Sequence, residues 1–304
     1  MSKRPKLHPS GHPTLFEINK LDDPVPPVIP RNPDRPYVQP GLLLGTSSFT
    51  ADGWQLSFYP PGTPPRNFLS YYATQFNTVE IDSTYYGTPS AQTVTNWFQR
   101  TPPDFTFAAK VPQIITHQKL LVNCEAEFDE FLERMNLLSH KLGPLLLQFP
   151  WFNKNEIPAD EFCRRLRSFL DRVKTLPPAR FAVEIRNKTW LDRRFLDLLR
   201  EYHVALALTD HSYMPRPWEL ADTLALVTTD FVYVRWLGDR KGIEALTTTW
   251  DKTIIDRAAD LKNWAALFRQ FVSRNLKIYA YANNHYAGHG PDTVKLFWDF
   301  WQKR

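Results

Sequence analysis

Residues 277–294 read KIYAYANNHYAGHGPDTV, and this stretch near the C-terminus contains the unit on which the fold is built. Its first six residues have the apolar and aromatic composition of a buried strand, which ends in Asn283, Asn284 and His285. A loop with two glycines follows, and Pro291 then opens a helix. Because α/β proteins bind ligands where a strand, a glycine-bearing loop and a helix N-terminus meet, the stretch predicts a strand–loop–helix unit with a ligand site at its turn.

Seven runs of similar length and composition precede this strand. They occupy residues 42–45, 78–81, 105–110, 145–149, 181–186, 204–208 and 231–235. Runs of this length predict strands, and their near-continuous apolar character suits parallel strands that helices cover on the outside.

Amphipathic helical patterns fill most of the intervals between the strands. They cover residues 89–99, 125–140, 161–173, 191–202, 254–272 and 292–301. Gly143 is expected to stop the second of these helices, and a proline-containing loop takes the place of a long helix between 209 and 230. Eight β-then-α units predict an α/β fold of the TIM-type (β/α)8 barrel class rather than an open doubly wound sheet.

Composition separates a short extension from the barrel. Residues 1–40 are proline-dense, poor in aliphatic side chains and without periodicity, so we expect an extended or disordered arm there, followed by a barrel domain at 41–304. The formal net charge of +5 fits an anionic ligand but is weak support for nucleic acid. The sequence shows no signal peptide and no apolar run of about 20 residues, which predicts a cytoplasmic protein without a membrane partner.

Polar residues end or follow all eight predicted strands. In chain order they are Ser47; Glu80 and Asp82; Lys110; Gln148; Glu184 and Arg186; Asp210; Arg235; and Asn283, Asn284 and His285. The active site of a TIM barrel lies at the C-terminal ends of its strands, so we expect these side chains to share one mouth. The ion pairs expected among them are Glu80–Lys110 and Glu184–Arg186. Ion pairing alone does not explain why a core would gather its charges at one end, whereas a ligand pocket does.

The mouth is expected to bind an anion or a sugar. Lys110, Arg186 and Arg235 would converge there. The helix N-terminus that follows the two glycines of the last loop would offer free backbone N–H groups to the same anion. Aromatic side chains that could stack on sugars or bases are Trp54, Tyr59, Tyr85, Tyr86 and Trp190. The residues predicted to bind substrate are Ser47, Asp82, Tyr85, Gln148, Arg186, Trp190, Arg235, Asn283, Asn284 and Gly288.

Ionisable residues of the same set are the candidates for catalysis. They are Glu80, Lys110, Glu184, Asp210 and His285. The acid–base pairs left open are Glu80 with Glu184 and Asp210 with His285. The sequence identifies no cofactor; a divalent metal on these carboxylates and on His285 or His289 is a second option, which the neighbouring cations would oppose. The motifs of P-loop hydrolases, serine esterases and Rossmann dehydrogenases do not occur in the sequence.

Seven segments carry a family resemblance. They are GTSSFTADGW (45–54), FNTVEIDSTYYGTPSAQTV (76–94), FTFAAKVPQIITH (105–117), KLGPLLLQFP (141–150), RFAVEIRNKTW (180–190), TTDFVYVRWLG (228–238) and ANNHYAGHGP (282–291). In this order, over roughly residues 41–298, the chain resembles the domain of unknown function 72 family, the YecE-like proteins. The resemblance implies a TIM-type barrel and no established reaction. The family positions matched here are Glu80, Ser83, Thr84, Tyr85, Lys110, His117, Gln148, Glu184, Arg186, Trp190, Arg235, Asn283, Asn284 and His285.

Two positions depart from the family pattern. Asp82 stands where the family usually has Asn, which adds a negative charge to the mouth. Leu237 stands where a His often follows the seventh-strand Arg, which removes a ligand or base. The family's likeness in shape to xylose-isomerase-like and endonuclease-like barrels is a fold-level analogy.

These observations lead to three functional hypotheses. The first is an enzyme that acts on a small anionic or sugar-like substrate, including a phosphorylated one, at the C-terminal mouth. The second is a nucleic-acid-binding or endonuclease-like barrel, and the third is a non-catalytic protein that binds a metabolite. The expected partner is a small anionic ligand in the first case and nucleic acid in the second. The sequence leaves open whether the chain is an enzyme.

Overall fold

The core of the structure is a barrel of eight parallel strands. The computed structural model describes residues 35–153, 156–220 and 223–303. Within them the strands are β1 (Leu42–Thr46), β2 (Thr78–Ile81), β3 (Thr106–Lys110), β4 (Leu142–Gln148), β5 (Phe181–Glu184), β6 (Ala205–His211), β7 (Phe231–Gly238) and β8 (Lys277–Ala282). They pair in the order β1-β8-β7-β6-β5-β4-β3-β2, and every pair is parallel. The eight predicted strands and the TIM-type barrel are confirmed.

Helices cover the outside of the barrel. In the described ranges, those of eight residues or more are α1 (Phe68–Gln75), α2 (Ala91–Gln99), α3 (Glu125–Asn136), α4 (Ala159–Val173), α5 (Arg193–Glu201), α6 (Ala258–Ser273) and α7 (Gly290–Gln302). Shorter helical turns lie at Trp54–Ser57, Pro217–Leu220, Arg240–Glu244 and Asn284–Ala287. The six predicted helices are present, and a four-residue turn takes the place of a long helix after β6, as predicted.

The sequence pattern gives two wrong helix assignments. Helix α1 is not predicted, because five of its eight residues are buried, Phe68 and Tyr72 among them, and such a helix has little of the polar face by which a helical period is recognised. The prediction that Gly143 stops a helix is also wrong. Helix α3 already ends at Asn136, and Gly143 lies inside β4, where a Cβ atom would stand 3.0 Å from the carbonyl oxygen of Phe107.

Side chains close the seam between β1 and β2, the two ends of the strand order. Asn77 bridges to the backbone of β1 through hydrogen bonds of 3.1 and 3.2 Å. The Tyr72 hydroxyl accepts the Thr46 N–H at 2.8 Å and donates to the Thr78 carbonyl at 3.1 Å. A Cβ atom at Gly45 would stand 2.1 Å from the Thr78 carbonyl oxygen, so this approach of the two strands requires glycine.

Large and small side chains divide the barrel interior between them. Its apolar members are Leu43, Ala108, Leu146, Ala182, Ala205, Ala207, Phe231, Tyr233, Tyr279 and Tyr281. The four aromatic rings all come from β7 and β8, while β3, β5 and β6 contribute alanines. The alanines make room for the rings, so the interior is a packed core rather than a channel.

The described end of the predicted N-terminal extension packs on the barrel, while residues 1–34 lie outside the described residues. Tyr37 stacks on Phe76 with 5.7 Å between ring centroids, and Trp301 donates to Gln39 Oε1 at 2.7 Å. None of the helices in the described ranges has the length and apolar character that crossing a membrane requires.

Candidate functional site

Strand geometry brings charged side chains together at the mouth, the end of the barrel where the C-termini of the strands lie. Side chains alternate along a strand, and Ala182 and Tyr233 belong to the barrel interior. Two residues further on, Glu184 and Arg235 also point inward, one layer nearer the mouth. Both are buried, so the barrel encloses opposite charges at this end.

A buried group of ion pairs, the charged cluster, fills the mouth. Its members are Glu80, Asp82, Lys110, Glu184, Arg186 and Arg235. Arg235 forms its centre, with a side chain that is 3% exposed, and donates to Glu80 Oε1 through Nε at 3.0 Å and Nη2 at 2.7 Å. It also donates to Glu184 Oε2 at 3.0 Å and to Asp82 Oδ1 at 3.1 Å. All three nitrogen atoms of Arg235 are therefore engaged by carboxylates.

The two buried glutamates have pKa values shifted in opposite directions. Burial raises the pKa of Glu80, and this effect outweighs both Arg235 and the hydrogen bond that Tyr233 donates at 2.5 Å. Burial also acts to raise the pKa of Glu184, but the three cations of the cluster, Arg186 foremost, outweigh it and hold that pKa at about 2. Carboxyl groups whose environments separate their pKa values are characteristic of acid–base sites.

The formal charges of the cluster cancel, because three carboxylates face three cations. Arg186 pairs with Glu184 at 2.5 Å, so this predicted ion pair is confirmed. The contacts of Arg235 do not support its predicted role in substrate binding, since the carboxylates of the cluster already use its donors. An anion entering the mouth must therefore be held by donors that the cluster leaves unpaired.

Two cations of the cluster keep unpaired donors. Lys110 Nζ makes no hydrogen bond within the described residues, and the nearest carboxylate oxygen is Asp82 Oδ1, 3.9 Å away. The predicted Glu80–Lys110 pair is wrong, because Arg235 holds Glu80. Arg186 Nη1 is buried and has no hydrogen-bond partner in the same part of the chain. The Lys110 side chain is 12% exposed and the Arg186 side chain is 17% exposed, so part of each faces the mouth, while Arg186 Nη1 itself is covered.

Tyr85 covers Lys110, as expected for a residue of the mouth. Lys110 Nζ lies 4.2 Å from the centroid of the Tyr85 ring, which is a cation–π distance. Burial lowers the pKa of Lys110, against the opposing effect of Asp82. The ring of His117 stands edge-on to Tyr85 with 5.0 Å between centroids, so the lysine and the histidine pack on the same ring.

Two histidines, His117 and His211, lie near the charged cluster. The sequence analysis matched His117 only as a family position and missed His211. Burial lowers the pKa of each to about 4, assisted by the positive charge of Lys110 at His117 and of Arg186 at His211. Both imidazoles are therefore neutral at pH 7 and can accept a proton.

Local irregularities position both histidine rings. A π-helical turn at Ile114–Gln118 carries His117, and the pairing of β6 with β7 shifts register between Asp210 and His211. The Tyr213 N–H donates to Nδ1 of His211 at 3.2 Å, so the neutral ring carries its proton on Nε2. The spacing of apolar residues in the sequence does not reveal such irregularities. The sequence feature that could have identified His211 is its position directly after Asp210, the polar residue at the end of the predicted strand.

Asp210 lies outside the barrel, and the prediction that it belongs to the mouth is wrong. It shares a strand face with Leu208, which packs in the layer between barrel and helices. Its Oδ2 accepts hydrogen bonds from Trp264 Nε1 and the Tyr286 hydroxyl, each at 2.9 Å, and Arg216 pairs with Oδ1. Asp210 therefore fastens a helix and a loop to the barrel.

His285 lies after β8 but outside the charged cluster. Its Nε2 contacts Glu244 Oε1 at 3.0 Å, its Nδ1 contacts Asn283 Oδ1 at 2.5 Å, and Trp250 packs on the ring with 4.7 Å between centroids. Asn283 also caps the following turn by accepting the His285 N–H. The predicted acid–base pair of Asp210 with His285 is not formed, because other partners hold both side chains.

The N-terminus of α7 does not offer the free N–H groups that were predicted. The Gly290 N–H donates to Asn284 Oδ1 at 2.8 Å, the next residue is proline, and the Asp292 N–H donates to His289 Nδ1 at 3.3 Å. Gly288 adopts a positive φ of 112° and is buried. These residues hold the loop itself rather than presenting donors to a ligand.

The remaining predicted binding residues differ in their surroundings. Ser47 is buried after β1, and its Oγ has no partner in the described chain. Gln148 is buried at the end of β4 and donates to the Phe149 carbonyl. Trp190 stacks on Phe152 with 5.4 Å between centroids, so it packs loops together. The substrate-binding roles of Ser47 and Gln148 stay predictions.

The residues considered as metal ligands do not assemble. Among the residues that the structure describes, no group of three or more His, Cys, Asp or Glu side chains could hold a metal ion. The three carboxylates of the cluster pair with Arg235, so its guanidinium supplies the positive charge that a metal ion would otherwise supply. Asp210 and His285 are engaged elsewhere, and His289 is buried in contact with Asp292.

A parallel (β/α)8 barrel with buried charges at the C-terminal ends of its strands makes this chain a TIM-type barrel protein with a polar mouth. It belongs to the family described as "Protein of unknown function DUF72", whose model matches residues 43–304. The predicted resemblance to that family is thus confirmed.

Curated relatives match part of the chain. Over 122 residues it is 38% identical to the UPF0759 protein YecE of Escherichia coli K12, covering 39% of this chain and 41% of that protein. Over 150 residues it is 30% identical to the UPF0759 protein YunF of Bacillus subtilis 168, covering 46% and 50%. The alignments thus span half or less of these relatives.

Solved structures share the fold. A DUF72 family protein of Thermotoga maritima MSB8 matches with a TM-score of 0.66 and 24% identity, covering 86% of this chain and 99% of that one. A DUF72 family protein of Enterococcus faecalis V583 matches with a TM-score of 0.63 and 22% identity, covering 86% and 95%. At these identities the likeness concerns the fold alone.

Proposed function

We propose that this chain is an enzyme that acts on a small anionic or sugar-like substrate, including a phosphorylated one, at the barrel mouth. The observation that carries the proposal is the pair of unpaired donors, Lys110 Nζ and Arg186 Nη1, above a cluster whose other charges are satisfied. A buried donor without a partner costs about 1–3 kcal/mol. This cost applies to Arg186 Nη1, and an anion that accepts from it and from Lys110 Nζ would remove it.

The neutral histidines supply acid–base chemistry next to the anion site. His117 and His211 have pKa values of about 4 and remain proton acceptors at pH 7. Glu80 and Glu184 are fully buried and accept hydrogen bonds from Arg235, so they hold the guanidinium in place. We therefore assign proton transfer to the histidines and keep the glutamates as the groups that orient the cations.

Ligand binding tests the anion site directly. We expect inorganic phosphate, sulfate or sugar phosphates to raise the melting temperature and to give binding heat, while the matching neutral sugars bind more weakly. Arg186→Met and Lys110→Met should each weaken binding at least about tenfold, because a hydrogen bond to a charged group contributes roughly 1.5–3 kcal/mol. The matched control is Lys119→Met, which removes a cation that is already bonded to Glu127 and the Asn123 carbonyl, at 2.6 Å each.

Two results would refute the anion site. One is the absence of binding by any of these anions, and the other is equal binding by wild type, Arg186→Met and Lys119→Met. Binding without conversion of the bound compound would instead favour the non-catalytic metabolite-binding hypothesis.

A rim of exposed apolar side chains favours a second candidate function, nucleic-acid binding. Of the eight exposed large apolar side chains in the described residues, six lie on loops after strands: Leu56, Tyr86, Val122, Trp151, Tyr213 and Leu246. Exposed rings on a chain with a net charge of +5 can stack on the bases of a single strand. Two of the predicted stacking residues, Trp54 and Tyr59, are buried and do not contribute.

Oligonucleotide binding tests this second candidate. If it holds, affinity for a short single strand should fall steeply as salt rises, and Trp151→Ala should weaken it, since stacking contributes roughly 1–3 kcal/mol per base. The control is Leu137→Ala, an exposed apolar residue that follows α3 at the opposite end of the barrel. No affinity at low salt would eliminate the candidate.

A further inference from the structure

The charged cluster contains a single amine, and its surroundings differ from those of an ion-paired lysine. Lys110 Nζ makes no hydrogen bond within the described residues and stands 3.9 Å from the nearest carboxylate oxygen. Its side chain is 12% exposed, so a small molecule that enters the mouth can reach it. The amine is therefore without a hydrogen-bond partner in the described chain and partly exposed at the mouth.

We propose that Lys110 is a nucleophile that forms an imine with an aldehyde or ketone bearing an anionic group. This inference rests on the proposed anion site and specifies its substrate class. Arg186, whose Nη1 is buried and unpaired, would donate to the anionic end of the substrate while the carbonyl carbon of the substrate meets Lys110 Nζ. Lysines that act in this way are held in desolvated surroundings next to other cations, as Lys110 is in this cluster.

The neutral form of the amine is favoured by the same surroundings. Burial lowers the pKa of Lys110, although Asp82 opposes the shift. Each unit by which the pKa falls raises the neutral fraction at pH 7 about tenfold. The face of the Tyr85 ring, whose centroid lies 4.2 Å from Nζ, presents no hydrogen-bond donor that could occupy the lone pair.

The bond changes balance without a further reagent. The Nζ lone pair forms a bond to the carbonyl carbon, and the C=O π electrons move to oxygen, which takes up a proton. Nitrogen loses one proton to give the neutral carbinolamine, the hydroxyl takes up a second proton and leaves as water as its C–O bond breaks, and loss of the second nitrogen proton gives the imine. Two protons thus pass from nitrogen to oxygen, and the net reaction is amine plus carbonyl to imine plus water. His117, which packs on the same Tyr85 ring as Lys110, is the proton carrier placed for these transfers.

Reductive trapping tests the imine. Full-length protein is incubated at pH 7 with glyoxylate or with the neutral aldehyde acetaldehyde, each with cyanoborohydride, and the modified lysines are found by peptide mapping. We expect Lys110 to be labelled faster than the exposed Lys188 and the buried Lys141, whose Nζ already donates three hydrogen bonds. Lys110→Arg, which keeps the charge, should abolish the fast label.

The two probes separate this inference from the proposed anion site. If both hold, glyoxylate labels Lys110 faster than acetaldehyde does, and Arg186→Met slows glyoxylate alone. If phosphate binds but neither probe labels Lys110 faster than Lys188, the imine is refuted and the anion site stands. If both probes label Lys110 equally fast and phosphate does not bind, the imine is supported and the anion site is refuted.

Discussion

Lys110 at the mouth has a side chain that is 12% exposed, Lys141 at the opposite end of the barrel is buried, and both lie over an aromatic ring. Nζ is 4.2 Å from the Tyr85 centroid in one case and 4.3 Å from the Phe98 centroid in the other. Lys141 donates to the Phe98 carbonyl at 2.6 Å and to the carbonyl and hydroxyl of Thr101 at 2.7 and 3.2 Å. Lys110 donates no hydrogen bond within the described residues.

The difference distinguishes Lys141, whose charge serves the structure, from Lys110, whose amine is available to a ligand. At the closed end, Lys141 donates three hydrogen bonds, two to backbone carbonyl groups and one to the Thr101 hydroxyl, although burial lowers its pKa to about 8. At the mouth, carboxylates and cations pair with one another, but Lys110 Nζ and Arg186 Nη1 keep N–H groups without a hydrogen-bond partner in the described chain. Folding alone does not account for a largely desolvated cation without a hydrogen bond, since desolvation disfavours its charge. The predictions below test this contrast in order of expected effect.

Removing the centre of the charged cluster should have the largest effect on stability. Arg235→Met leaves the buried Glu80 without its arginine and Glu184 with Arg186 as its remaining arginine, and breaking a buried pair in this way costs about 3–5 kcal/mol. Denaturant unfolding measures the free energy of unfolding, and an m-value equal to that of wild type shows that only stability has changed. Arg172→Met is the control, since its pair with Asp129 is on the surface and should cost less than about 1 kcal/mol. Equal losses in the two variants would contradict a buried cluster.

Replacing Glu184 should give a pH-dependent loss. The cations of the cluster hold its folded pKa at about 2, below the ordinary 4.5, so the ionised carboxylate stabilises the fold above pH 4.5. Above pH 4.5 the free energy of unfolding of wild type should exceed that of Glu184→Gln by roughly 3 kcal/mol, since each pKa unit corresponds to about 1.4 kcal/mol. The difference should shrink as the pH falls from 4.5 toward 2. A difference that is constant between pH 7 and pH 3 would show that Glu184 is not held ionised by the cluster.

The two lysines should respond differently to the same substitution. Lys141→Met leaves the carbonyls of Phe98 and Thr101 without a donor and should cost about 1–3 kcal/mol. Lys110→Met breaks no hydrogen bond within the described chain, so its stability should stay within about 1 kcal/mol of wild type or increase, while anion binding is lost. If Lys110→Met destabilised the protein as much as Lys141→Met, the distinction between the two ends of the barrel would fail.

Asp82→Asn should have the smallest effect on stability and a measurable effect on binding. Asp82 is 32% exposed, so the loss should be about 0–1 kcal/mol, as for a surface ion pair. Removing one of three carboxylates leaves the cluster with a positive charge, and phosphate should bind more tightly than to wild type. Calorimetric titration at constant ionic strength checks this. Unchanged or weaker binding would show that the charge balance of the cluster does not govern anion affinity.

The fold could be predicted from the sequence to within a few residues at most element ends. Apolar runs of strand length separated by amphipathic segments repeat eight times, and parallel strands require such crossovers. Helix α1 and Gly143 were misassigned because burial on several sides hides the helical period, and because glycine serves close packing in a strand as well as the end of a helix.

The site could be predicted less completely. Glu80, Lys110, Glu184 and Arg186 meet at the mouth because the ends of parallel strands converge there. Asp210 was misplaced because both faces of a barrel strand are buried, so period-two alternation does not say which face is inside. The alternation of alanine with leucine along β6 was an overlooked signal, since the small side chains face the interior.

The amino-acid sequence by itself determined the barrel, its family and the end at which its charges lie, because these follow from strand length, segment order and the residues at strand ends. The tertiary structure decided which charges pair. Arg235 engages Glu80 and Glu184, which lie 155 and 51 residues away along the chain, and no local pattern records such distances. Pairing across the barrel therefore determines that Arg235 is satisfied while Lys110 and Arg186 keep donors for a ligand.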